Sequence, residues 1–90
     1  MSKVRKRVVV RGRVQGVFFR DATQRRASSR GVAGWVSNRS DGAVEAVFEG
    51  APEAVESLVE FMREGPRDAE VSEVDVSDEE PEGLASFDVR

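Results

Sequence analysis

An α+β sandwich, with two helices on one face of a mainly antiparallel sheet, is the fold class predicted by this 90-residue chain. Three observations carry the expectation. Short β-branched runs alternate with two longer segments free of internal glycine, the elements read β-α-β-β-α-β with a short strand at the end, and the turn residues fall between segments rather than inside them. One core and one domain over residues 1–90 are expected, burying roughly 60–65% of the unfolded surface.

The first strand is placed at residues 5–11, where Val8, Val9 and Val10 lie between arginines in a run suited to a buried strand. The stretch G-R-V-Q-G-V-F-F-R at 12–20 sets two glycines around three other residues, a composition for a tight loop with unusual backbone angles. A helix is expected over 21–30, with Thr23 and Ala27 four apart on a small face, Phe19 just before them and Gly31 as the C-terminal cap.

Residues 34–38 and 43–49 read as a hairpin whose turn, Arg39-Ser40-Asp41-Gly42, carries an Asp-Gly pair. In its second strand Val44, Ala46 and Phe48 point one way, Glu45 and Glu49 the other. Pro52 opens a second helix, and Val55, Leu58, Val59 and Met62 form the i, i+3, i+4, i+7 stripe of a face packed on a core before Gly65-Pro66 stops it. Val74 and Val76 mark a fourth strand, with Val71 out of phase, which implies a bulge or a strand that starts later. Residues 77–83 read as an exposed acidic loop, and Phe87 and Val89 as a short terminal strand. Two crossover helices on one face of such a sheet make the ferredoxin-like arrangement. Fold alone does not decide function.

The chain has no cysteine and no histidine, which removes disulfides, thiolate nucleophiles and the usual transition-metal ligands. No cofactor or metal is expected. The opening M-S-K-V-R-K-R is not followed by an apolar stretch, and no run approaches the roughly 20 apolar residues of a membrane span, so the cytoplasm is the default address. Residues 1–30 carry a net +9 and residues 31–90 a net −12. Either two faces of opposite sign neutralise each other, or the basic end holds a specific anion site.

The loop at 12–20 is a candidate anion receptor, because glycines let several N–H groups converge and the following helix adds its positive end. Arg20 sits where both point, and a planar guanidinium can hold a phosphate through two parallel hydrogen bonds. An ordinary surface arginine is the alternative. Asn38, near the end of the second strand, offers an acceptor and two donors that could orient a water. Service to the turn is the alternative there. Phe18, Phe19, Thr23 and Trp35 read as packing or loop-support residues.

G-R-V-Q-G-V-F-F-R at 12–20, followed by Ala27 and Gly31, and G-W-V-S-N-R-S-D-G at 34–42 resemble the two signature segments of the acylphosphatase family. F-D-V-R at 87–90 is similar to that family's C-terminal strand. The resemblance covers essentially the whole chain, and the two motifs at this separation are far more specific than either alone. It implies hydrolysis of acyl phosphates, with the backbone N–H groups of Gln15, Gly16, Val17, Phe18 and Phe19 cradling the phosphoryl oxygens, Arg20 clamping them and Asn38 placing the attacking water. The implied partners are a small-molecule acyl phosphate and inorganic phosphate, the latter as product and inhibitor. A monomer, without nucleic acid or membrane, is expected. Two other readings fit parts of the sequence: a nucleic-acid-binding module of the same topology, motivated by the basic first third, and an accessory domain of a larger carbamoyl-phosphate-using enzyme. The first is disfavoured because an RNA-recognition sheet presents stacking aromatics on its central strands, whereas the first strand here carries none and the chain has no tyrosine.

Overall fold

In the computed structural model, which describes residues 2–90, the chain runs through β1 (Val4–Arg13), α1 (Phe19–Ser29), β2 (Ala33–Asn38), β3 (Val44–Gly50), α2 (Pro52–Glu64), β4 (Glu70–Glu79) and β5 (Phe87–Val89). The strands form one sheet in the order β4-β1-β3-β2-β5, with every pairing antiparallel except that of β2 with β5. Both helices cover one face, α1 over β2 and β5 and α2 over β1 and β4. The expected architecture is the one observed.

The register explains where the core sits. Val76, Val8, Ala46, Val36 and Val89 fall in one row across the five strands, and Val74, Val10 and Val44 form the next row, which ends at Asn38. Successive side chains alternate faces, so both rows share the helix-covered side with Phe48 and Phe87, whose rings stack at 5.7 Å. The α2 stripe of Val55, Leu58, Val59 and Met62 is fully enclosed against them. From α1, Phe19, Thr23 and Ala27 face inward, and the Thr23 hydroxyl donates to the Phe19 carbonyl at 2.8 Å, so its polar atom is satisfied within the core.

Gly31 ends α1 as expected. With φ at 68° it lets Val32 N–H reach the Ala27 carbonyl at 2.9 Å and its own N–H reach Ser28 at 3.3 Å, the pair of bonds that closes a Schellman turn.

Two boundaries differ from the sequence expectation for stated reasons. Helix α1 begins at Phe19 rather than residue 21, because Phe18 turns the chain through the left-handed region (φ 61°, ψ 26°) and its carbonyl accepts the Ala22 N–H at 3.1 Å. Strand β4 continues to Glu79, so residues 77–79 are not loop. Their acids lie opposite the bases of β1, with Arg5 facing Glu79 and Lys6 facing Asp78, and Lys6 donates to Asp78 at 2.7 Å. Cross-strand pairs of opposite charge support pairing that the acidic run alone would not. The anomaly at Val71 is a bulge: the register shifts between Arg11 and Gly12, leaving Ser72 as the extra residue, and the strand begins before Val71 rather than after it.

Candidate active site

The loop from β1 into α1 occupies one end of the sheet. Among the described residues, none of the backbone N–H groups of residues 15–21 donates to a protein acceptor. The last three belong to the first turn of α1, where such groups lack partners by construction, and no side chain caps the helix. Gly16 (φ 74°) and Phe18 both take left-handed angles, which bends the chain twice within three residues. A Cβ on Gly16 would meet no atom within 4 Å, so backbone angle and not protein packing requires glycine there. Gly16, Phe18, Arg20, Asp21 and Val89 line a single open cleft of about 510 Å³.

Arg20 is half-buried and, among the described residues, pairs with no aspartate or glutamate. Its Nη1 donates instead to the main-chain oxygen of Arg90 at 3.0 Å, and the Arg90 N–H donates to the Val36 carbonyl at 2.8 Å. This chain of bonds joins the guanidinium to the strand that carries Asn38. Asn38 is exposed on the helix-side face, two residues beyond the buried Val36.

A second tie comes from a residue whose side chain was not singled out in the sequence. Gln15 Nε2 donates to the carbonyls of Arg39 at 2.8 Å and Ala43 at 3.0 Å, fastening the loop to the turn that follows Asn38. That turn is braced by Asp41, which accepts the Ala43 N–H at 3.1 Å and faces Arg11 and Arg39 at 3.2 Å each. The Ala43 hydrogen bond, followed by that from Arg11, holds the Asp41 carboxyl below its ordinary value. The structure therefore brings residues 15–20 and Asn38 to the same end through two independent links. Phe19 packs inward, its ring 6.0 Å from that of Phe61, whereas Phe18, read as packing or loop support, is 80% exposed.

The charge asymmetry resolves on the opposite face. Arg5 is 6% exposed and reaches Glu49 (3.4 Å), Glu79 (2.9 Å) and Glu82 (3.6 Å), while Arg7 pairs with Glu45 and with Glu79 at 2.6 Å and lies 5.5 Å from the Trp35 ring centre. Glu49, expected on the solvent side, is only 2% exposed, because residues 82–84 fold over it and donate three N–H groups at 2.8 to 2.9 Å. Burial pushes its carboxyl up, but those three donors and Arg5 outweigh it and leave it below the ordinary range. Arg5, Lys6 and Arg7 of β1 are thus paired with acids of β3, β4 and the segment after β4, whereas Arg20 pairs with no aspartate or glutamate among the described residues.

A loop of N–H groups without protein acceptors, an arginine that pairs with no aspartate or glutamate among the described residues, and an exposed asparagine thus lie at one end of a ferredoxin-like sheet. The acylphosphatase family model matches residues 6–89. An acylphosphatase of Haloarcula marismortui is 52% identical over 90 residues, covering all of this chain and 99% of its own, and that of Gloeobacter violaceus is 55% identical over 88 residues. The solved acylphosphatase structures of Coxiella burnetii and Bacillus subtilis superpose with TM-scores of 0.93 and 0.92, at 39% and 40% identity over 98% and 97% of this chain and 93% and 98% of theirs. The chain belongs to the acylphosphatase family, and its activity is hydrolysis of the mixed anhydride between a carboxylic acid and phosphate.

Proposed function

We propose that the N–H groups of Gln15, Gly16, Val17, Phe18 and Phe19, with the start of α1 and the Arg20 guanidinium, receive the phosphoryl group, and that Asn38 orients the attacking water. The observation that carries this is the run of N–H donors without protein acceptors beside an arginine that, among the described residues, pairs with no aspartate or glutamate. Such an array stabilises an anion through oriented dipoles and one full charge. Phosphoryl transfer asks chiefly for positioning and for charge stabilisation on the equatorial oxygens. The water oxygen bonds to phosphorus as the bond from phosphorus to the acyl oxygen breaks. The carboxylate departs, and the water's proton passes to an oxygen of the phosphate. An acyl phosphate needs no protein acid for this, since a carboxylate is already a good leaving group.

The reading extends to a single domain over residues 1–90 acting as a monomer in the cytoplasm on a small-molecule acyl phosphate, with inorganic phosphate as competitive product inhibitor and without nucleic acid. Pairing of Arg5, Lys6 and Arg7 with acids of the sheet supports the last point, since it neutralises the first three bases of β1. No helix among the described residues is long and apolar enough to cross a membrane. The test is hydrolysis of acetyl phosphate beside a phosphate monoester, with and without a chelator and with added phosphate. Turnover of the anhydride alone, unchanged by chelation and competitively inhibited by phosphate, is expected. Equal turnover of the monoester, or loss of activity on chelation that a divalent ion restores, would contradict the mechanism.

A further inference from the structure

Phe18 departs from local preference in three ways at once. It is a bulky residue in the left-handed region, it occupies the N-cap of α1 without any capping hydrogen bond, and its ring is turned to solvent instead of the core. A β-carbon disfavours the first, the second leaves donors open that serine or aspartate would satisfy, and the third forgoes burial. Several local rules failing at one residue that is 80% exposed mark that residue as a candidate for function.

The second observation concerns where that ring stands. Phe18 and Val89, 45% exposed, are the large apolar side chains left exposed among the described residues, and both line the cleft that contains Arg20. They come from different elements, the loop before α1 and the last strand. An exposed apolar pair meeting at a site for a charged group suits a ligand with one ionic end and one apolar end. Asp21, also at the rim, is paired with Arg25 at 2.9 Å.

We propose that Phe18 and Val89 form the acyl-binding wall of the site and select acyl phosphates whose acyl group is apolar, aryl or branched, over the acetyl compound. The inference rests on the hydrolysis reading above and adds the substrate class. An open cleft yields less discrimination than a closed pocket, where one methylene is worth about ten- to two-hundredfold, so a preference on the order of tenfold is expected.

The test compares kcat/KM for benzoyl phosphate and acetyl phosphate, each divided by its uncatalysed rate, in the parent, Phe18→Asn, Phe18→Leu and Val89→Ser. Asparagine tolerates the left-handed angles, so that variant removes the ring with little pressure on the backbone. The parent should favour the benzoyl compound about tenfold. Phe18→Asn and Val89→Ser should lower that ratio chiefly by raising KM for benzoyl phosphate, and Phe18→Leu should restore part of it. A corrected ratio near one in the parent, or an unchanged ratio in both Phe18→Asn and Val89→Ser, overturns the inference and leaves the hydrolysis reading standing. Absence of turnover on both compounds overturns both.

Discussion

Two places in this molecule gather backbone N–H groups around an arginine, and they differ in what fills them. On the outer face the N–H groups of Glu82, Gly83 and Leu84 converge with Arg5 on the carboxylate of Glu49, which is sealed from solvent. At the end of the sheet, among the described residues, the N–H groups of residues 15–21 meet no protein acceptor, and Arg20 pairs with no aspartate or glutamate and donates only to the main-chain oxygen of Arg90. The chemistry is the same in both. An anion receptor closed by the protein's own side chain is a clasp that holds a loop to the sheet, and the one left open is the site proposed above for an anion from outside.

The contrast is broken most severely at Arg20. Arg20→Gln removes the full charge from the open receptor, so kcat/KM for acetyl phosphate should fall on the order of a thousandfold and phosphate inhibition should weaken with it. Steady-state kinetics with phosphate as inhibitor measures both, and inhibition as tight as in the parent would misplace the cradle. Asn38→Ala should lower kcat on the order of a hundredfold while leaving phosphate inhibition nearly intact, because Asn38 is proposed to act on the water. Its fold must be checked by circular dichroism, since Asn38 borders the Asp41 turn. Near-full turnover in a well-folded variant would remove the water-positioning role.

Changes to the closed receptor should act on stability instead. Glu49→Gln leaves Arg5 and one or more of the three N–H donors poorly satisfied, at a cost of about 2 kcal/mol in a denaturant titration. kcat/KM measured well below the melting transition should stay within about twofold of the parent. A large loss of activity without loss of stability would mean the two receptors are coupled.

Acid provides the mildest perturbation. Glu49 and Glu79 both titrate below their ordinary values, Glu49 because its N–H donors and Arg5 overcome the opposing effect of burial, Glu79 through its bonds to Arg7 and Arg5. A carboxyl with a depressed folded value adds stability that is fully present above its unfolded value, about 4.3 for glutamate, and is lost as pH falls through the folded one. Tm should therefore hold steady from neutral pH to about 5 and fall below it, with a shallower fall in Glu49→Gln. A slope identical to the parent's would show that Glu49 titrates normally.

Much of this was legible in the residues, and the gaps have a common cause. The α2 stripe and the Asp41-Gly42 turn are local patterns, and both stand as read. The short helical face of Thr23 and Ala27 was also read correctly, although its helix begins two residues earlier because the angles of Phe18 do not show in its identity. What escaped was set by partners distant in the chain. Residues 77–79 join β4 because the bases Arg7, Lys6 and Arg5, far earlier in the chain, lie opposite them. Glu49 is buried by a loop more than thirty residues later, and the Gln15 side chain finds its acceptors across the hairpin. The two motif segments nominate the candidate site residues as a set, but the side-chain tie between them needed coordinates.

The most direct test of the central claim is a phosphate titration followed amide by amide in ¹⁵N-labelled protein. If the open receptor is the phosphate site and the closed one is a clasp, shifts should concentrate at the N–H groups of residues 15–21, leave 82–84 unmoved, and disappear in Arg20→Gln. Shifts centred on residues 82–84, or saturable binding that survives Arg20→Gln with the 15–21 amides unperturbed, would contradict the account.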